Sequence, residues 1–233
     1  MTLLHTLFGG ELPRLVMFDL DGTLLDSVPD LAAAVDRMLE QLGRPPAGVE
    51  CVRDWVGNGS QVLVRRALAG QLEHAAVDDD EATQALALFM ATYADSHALT
   101  RVYPGVRECL DWLAARDIAM AVITNKPERF IAPLLAEKGL GDYFRWQVGG
   151  DTLPRCKPDP DGLLHVLHAA AVEPAQALFV GDSCNDVRAA RAAGVRCVAL
   201  SYGYNHGRPI AEENPARVLD DLRELVASSP TLR

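Results

Sequence analysis

Asp19 and Asp21 lie two positions apart in Phe18-Asp19-Leu20-Asp21-Gly22-Thr23. Carboxylates held that close repel, and keeping both ionised is costly unless a cation lies between them. Gly22 permits a sharp turn, and Thr23 adds a hydroxyl. Three more polar clusters follow: Thr124-Asn125, Lys157 in Cys156-Lys157-Pro158-Asp159-Pro160, and Gly181-Asp182-Ser183-Cys184-Asn185-Asp186. Together they offer carboxylate oxygens, a hydroxyl beside amides, and a lysine. Hard oxygen donors without a histidine or cysteine set suit Mg²⁺ rather than zinc. The lysine and such an ion can both neutralise a phosphoryl group, while Thr124 donates to one of its oxygens. Taken singly, each cluster has a plainer reading: an acidic turn at Asp19–Asp21, a helix cap at Asp182, a solvated loop lysine at Lys157.

Those residues need elements that bring them together. Leu15-Val16-Met17-Phe18 is an unbroken apolar run, as expected of a strand buried on both faces. Similar strands are expected at 118–123, ending at Thr124, at 178–180, ending at Gly181-Asp182, and at 197–200, with a weaker one at 146–149. Helical segments alternate with them from Pro104-Gly105 through Leu113, over 127–137, 161–171, 183–193 and 215–226. Such alternation implies a parallel sheet, whose carboxyl edge is where ligands bind.

Between the first strand and the rest lie about seventy residues without a convincing strand. Ser27, with Asp30 three residues on, resembles a capping box opening a helix through Val28, Leu31, Val35, Met38 and Leu39, stopped by Gly43. A short helix over 49–56, a break at Gly57-Asn58-Gly59, a helix through Leu63 and Leu68, and one led by Asp78–Glu81 and running to about His97 complete the stretch. The stretch is too long for a crossover and too patterned for a loop. The expected architecture is α/β: a Rossmann-like parallel sheet flanked by helices over 1–26 and 99–233, with an inserted all-helical cap over 27–98.

Composition narrows the classes. A 233-residue chain with 49% hydrophobic and 23% charged residues can bury a sizeable core without disulfides. A net charge of −10 argues against nucleic acid or an anionic membrane as partner. No apolar run approaches the roughly 20 residues that span a bilayer, and the first residues lack a basic flank. The five cysteines show no metal or redox spacing and read as small buried thiols of a cytoplasmic protein. Only three of the 22 basic residues are lysines, Lys126, Lys138 and Lys157, which gives weight to each.

Asp19-Leu20-Asp21-Gly22-Thr23, Thr124-Asn125, Lys157 and Gly181-Asp182-Ser183-x-x-Asp186 resemble, in order and spacing, the four motifs of the haloacid dehalogenase superfamily, phosphatase branch. The resemblance implies a Rossmann-like core with a cap inserted after the first motif, and it implies roles. Asp19 is then the nucleophile, forming an aspartyl-phosphate, and Asp21 the general acid and base. Asp19 and Asp182 ligate Mg²⁺ by carboxylate, and Asp21 by its backbone carbonyl. Thr124 and the Asn125 amide hold phosphate oxygens, and Lys157 sits beside nucleophile and phosphate. Asp186 stands behind them, orienting Lys157 or a water on the metal.

The resemblance also bears on substrate. Asp21 separates the chain from the dehalogenase branch. The absence of lysine between Asp21 and Ile123 separates it from relatives that use a cap lysine. Arg53-Asp54-Trp55-Val56-Gly57-Asn58-Gly59 and Ser201-Tyr202-Gly203-Tyr204-Asn205-His206-Gly207 resemble the bacterial phosphoglycolate phosphatases. Gly57, Asn58 and Gly59 are expected to bring backbone amides to a small anion. Arg66, seven residues past Gly59, is expected either to meet a substrate carboxylate or to form a surface ion pair. The implied activity is Mg²⁺-dependent hydrolysis of 2-phosphoglycolate by a monomer or homodimer. The alternatives are another small phosphometabolite (a sugar phosphate, a nucleotide or pyrophosphate) and a phosphate-binding module without turnover.

Overall fold

A computed structural model describes residues 1–94 and 97–228. The central strand β1 (Leu15–Phe18) is apolar throughout because both its faces are covered. Leu15 and Met17 enter the core on one side of the sheet, and Val16 and Phe18 enter the core on the other. After β1 come β2 (Leu25–Asp26) and, beyond a helical insertion, β3 (Arg101–Val102), β4 (Ala119–Ile123), β5 (Trp146–Val148), β6 (Ala177–Gly181), β7 (Arg196–Leu200) and β8 (Arg217–Leu219). Six of them form one parallel sheet in the order β5-β4-β1-β6-β7-β8. Phe18 is level with Val122 of β4 and Val180 of β6. Asp19, Thr124 and Asp182 therefore leave three adjacent strands at the same edge.

Helices cover the sheet: α1 (Leu3–Leu7) and, after four insertion helices α2 (Val28–Gln41), α3 (Val49–Trp55), α4 (Ser60–Ala69) and α5 (Asp79–Ala94), also α6 (Val106–Ala114), α7 (Ile131–Glu137), α8 (Asp161–Ala170) and α9 (Cys184–Ala192). The stripe Val28, Leu31, Val35, Met38 and Leu39 of α2 is buried, and Gly43 takes the left-handed turn (φ +70°) beyond its end. Helices α2–α5 share an apolar cluster distinct from the two sheet cores, into which Phe130 and Tyr204 project from the sheet side. No described helix is long and apolar enough to cross a membrane.

Several expectations change. The insertion is bracketed by β2 and β3, two-residue strands paired antiparallel, too short for any period to reveal. The capping box at Ser27 does not form. Ser27 makes no side-chain cap bond, and its buried Oγ has no partner. Asp30 turns away from the helix end and accepts from Leu99 N, Thr100 N and Thr100 Oγ1, at 3.2, 2.6 and 2.6 Å. It thereby ties the start of α2 to the chain returning from the insertion. Asp30→Ala should lower stability by about 2–4 kcal/mol, since buried donors lose a charged acceptor. Urea melts would read it, and a change below about 0.5 kcal/mol would remove this role.

The stretch 215–226 is not one helix: β8 adds a sheet edge strand, and Leu222–Leu225 makes a single 3-10 turn. Helix α5 ends at Ala94, and residues 95 and 96, on the expected path to His97, lie outside the described residues. Cys109 and Cys197 are buried as expected, Cys184 is half-buried, and Cys51 and Cys156 are exposed.

Candidate active site

Asp19 directly follows β1, and its amide still bonds Val180 O (2.9 Å) in the ladder toward β6. One carboxylate oxygen, Oδ1, accepts from Leu20 N at 2.7 Å and lies 2.8 Å from Lys157 Nζ. The other oxygen is left as the reactive one. Lys157 is buried and also touches Asp186 Oδ1 at 2.6 Å. Asp186 is fully enclosed, and its second oxygen accepts from Asp182 N, Ser183 N and Ser183 Oγ. That web fixes Lys157 against Asp19.

Asp182 shows what the first motif contributes beyond its aspartates. Thr23 Oγ1 donates to Asp182 Oδ1 at 2.6 Å, and Tyr204 N donates to Oδ2 at 2.7 Å. Gly22 adopts φ +90°, and a Cβ there would stand 2.3 Å from Asp182 Oδ2. A Cβ on Gly203 would stand 2.2 Å from Asp182 Cβ. Both glycines are the room in which this carboxylate sits.

One oxygen each from Asp19, Asp182 and Asp186 falls within 4.8 Å of the others. Three carboxylates against the single ammonium of Lys157 leave two negative charges in a buried place. Burial pushes the Asp19 carboxyl up to about 7; Lys157 opposes that shift and Asp186 adds to it. Burial, with Asp186 and Asp19 beside it, likewise lifts Asp182 well above the usual carboxylate range, against the hydrogen bonds from Thr23 and Tyr204. Burial alone would discharge Lys157, yet Asp186 and Asp19 hold it charged. An all-oxygen set with a deficit of two positive charges fits a hard divalent cation.

Asp21 faces elsewhere. Both its carboxylate oxygens lie 3.1 Å from Nζ of Lys126, which also donates to the Tyr93 hydroxyl of α5 at 2.6 Å. Sequence reasoning overlooked Lys126. Its signal was available: it is one of three lysines and directly follows Thr124-Asn125.

A cavity of about 460 Å³, counting its open mouth, is lined by Asp19, Asp21, Thr124, Lys126, Gly57 and Gly59 among others. Asn125 lines it too, and its side-chain amide donates to Lys157 O and to Gly57 O, both at 2.9 Å. Asn185 donates to the same Gly57 carbonyl at 3.1 Å and accepts from Asn58 Nδ2 at 3.4 Å. The glycine loop is therefore gripped through a carbonyl by two asparagines on the sheet side. His206 places Nδ1 2.8 Å from Asp54 O.

Arg66 meets neither expectation. It does not line the cavity and forms no ion pair among the described residues; its Nη1 donates to Trp55 O at 2.7 Å. Trp55 ends α3, and the last carbonyls of a helix lack partners within it, so the guanidinium is drawn there. Burial lowers its pKa from the usual arginine value.

Known proteins accord with this arrangement. The chain is 69% identical over 220 residues to the phosphoglycolate phosphatase of Pseudomonas putida KT2440, covering 94% of this chain and 81% of that one. It is 66% identical over 226 residues to phosphoglycolate phosphatase 1 of Pseudomonas aeruginosa PAO1, covering 97% and 83%. The crystal structure of a predicted phosphoglycolate phosphatase from Haemophilus somnus 129pt superposes with a TM-score of 0.86 at 38% identity, covering 91% of this chain and 96% of that one. The family model of haloacid dehalogenase-like hydrolases matches residues 13–194, which include all four polar clusters, and the chain belongs to that family.

Proposed function

We propose that the chain is a cytoplasmic, Mg²⁺-dependent phosphatase that converts 2-phosphoglycolate to glycolate and phosphate, with residues 27–98 as its cap. The observation that carries the reading is Asp19, one oxygen held by Lys157 and Leu20 N, opening into a small cavity in a chain so similar to phosphoglycolate phosphatases. The five free thiols suit a reducing compartment.

In the first step Asp19 Oδ2 attacks phosphorus in line, and the bond from phosphorus to the glycolate oxygen breaks. The electron pair leaves on that oxygen, which takes a proton from Asp21. In the second step Asp21 removes a proton from a water attacking the aspartyl-phosphate at phosphorus, releasing phosphate and restoring Asp19. Lys157, Thr124 Oγ1 and the Asn125 backbone amide bind the phosphoryl oxygens through both steps. The carboxylates of Asp19 and Asp182 and the Asp21 carbonyl would hold Mg²⁺, which would supply further charge neutralisation at the phosphoryl group. Asp186 keeps Lys157 directed at Asp19. Closure of Gly57–Gly59 onto Asn125 and Asn185 shields the intermediate from stray water.

The test is phosphate release from phosphoglycolate, hexose phosphates, nucleoside monophosphates and pyrophosphate, with and without Mg²⁺. The reading expects the highest kcat/KM for phosphoglycolate and loss of that activity in EDTA. A peak on another substrate would overturn the substrate, and activity indifferent to EDTA would overturn the metal.

A pH dependence follows. Without metal, native Asp19 keeps its proton to about pH 7, whereas the unfolded chain releases it near 3.8. The folded state then binds more protons over that window, so Asp19 makes the metal-free protein less stable as pH rises through it. Mg²⁺ requires the ionised form and cancels the penalty. Calorimetry should find a larger Mg²⁺-induced rise in Tm at about pH 7.5 than at about pH 5.5. An equal rise at both would contradict it.

A further inference from the structure

We propose that Lys126, assisted by Tyr93, binds the carboxylate of the substrate and so selects a phosphorylated two-carbon acid; this rests on the phosphoglycolate reading above. Among the described residues, Lys126 is the one basic residue that lines the cavity. Its side chain is 1% exposed, and Asp21 and Tyr93 outweigh burial to keep it charged.

Its position follows from the chemistry. Asp21 is the group that protonates the ester oxygen, so that oxygen lies against Asp21. Lys126 lies 3.1 Å from both Asp21 oxygens. In phosphoglycolate the carboxylate is two bonds beyond the ester oxygen, which places it where the neighbour of Asp21 can reach it. Asp21 offers Lys126 two equal contacts; giving up one frees a proton of the ammonium for the substrate while Asp21 keeps the other. Tyr93 adds a donor. Its oxygen accepts from Lys126, no described residue accepts its own proton, and burial keeps that proton on. Beyond these groups the walls include Leu31, Val56 and Leu63, with Ser60 as one further hydroxyl, so the hydroxyls of a sugar find few partners there. Arg66, the residue singled out from sequence for this task, does not line the cavity and gives one guanidinium proton to Trp55 O.

The experiment compares kcat/KM for phosphoglycolate with that for ethyl phosphate, in which a methyl group replaces the carboxylate. The wild type should prefer the acid. In Lys126→Met both values fall, because Asp21 loses its neighbour, but the preference for the acid should fall by a further factor of about 10 to 100. Tyr93→Phe should shrink the same ratio by a smaller factor, and Lys126→Arg should retain part of it; the former serves if Lys126→Met fails to fold. A wild type without preference for the acid overturns the substrate reading itself. A wild-type preference that survives undiminished in Lys126→Met, or in Tyr93→Phe should that variant not fold, overturns the role of Lys126 and leaves the substrate standing.

Discussion

Asp19→Asn is expected to lower kcat by about 10⁴-fold or more, in keeping with the removal of a nucleophile. The amide cannot form the acyl-phosphate and brings a neutral oxygen where the site is built for an anion. The fold should not suffer. In the metal-free protein burial and Asp186 already disfavour the ionised Asp19, with Lys157 only partly offsetting them. A neutral side chain there relieves repulsion, so the metal-free Tm at neutral pH should hold or rise. The Tm gain from Mg²⁺ should shrink, because one of two carboxylate ligands is lost. Steady-state kinetics and calorimetry on one preparation read both effects. Residual turnover above about 10% would contradict the nucleophile, and an unchanged Mg²⁺ gain would contradict its part in the metal site.

Lys157→Met should be harmful in both respects. The variant leaves Asp19 and Asp186 buried against each other with no cation inside, and losing one partner of a buried ion pair costs about 3–5 kcal/mol. The sign with pH is fixed by the lysine. Its folded pKa is raised above the ordinary 10.5, so its contribution is fully present at neutral pH and is lost only in strong alkali. Activity should fall by about 10²–10³-fold or more, since a preorganised donor to the phosphoryl oxygens is gone. Denaturant melts and kcat would measure the two losses. A variant as stable as the parent at pH 7 would mean that the Lys157 triad does not hold the site together.

The parts legible in sequence were those in which one short stretch carries both a period and an end. β1, β4 and β6 are apolar on both faces and stop at a polar motif, so strand, edge and chemistry could be read together. The α2 stripe and its terminal glycine were equally plain. Two-residue strands such as β2 and β3 carry no period, and β8 is an edge strand with only Leu219 buried. At Ser27-Asp30 local capping chemistry was readable, but the winning partner of Asp30 lies 70 residues away. Arg66 failed for the same kind of reason: helical spacing gives the face of α4, not the free carbonyl of Trp55 that competes for the guanidinium. Lys126 directly follows Thr124-Asn125, but nothing local says what its ammonium meets. Only the folded chain reveals that its partner is Asp21, 105 positions earlier. The grip of Asn125 and Asn185 on the Gly57 carbonyl was hidden likewise, since it joins the insertion to two separate loops of the sheet edge.

The central claim is that phosphate passes through Asp19. Its most direct test is to quench the enzyme in acid during turnover of phosphoglycolate with Mg²⁺, digest it, and locate any phosphoryl group by mass spectrometry. The account predicts an alkali-labile phosphoryl group on the peptide containing Asp19, appearing at least as fast as product and absent from Asp19→Asn. A phosphoryl group on any other residue, or none under conditions where turnover is limited by the second step, would contradict it.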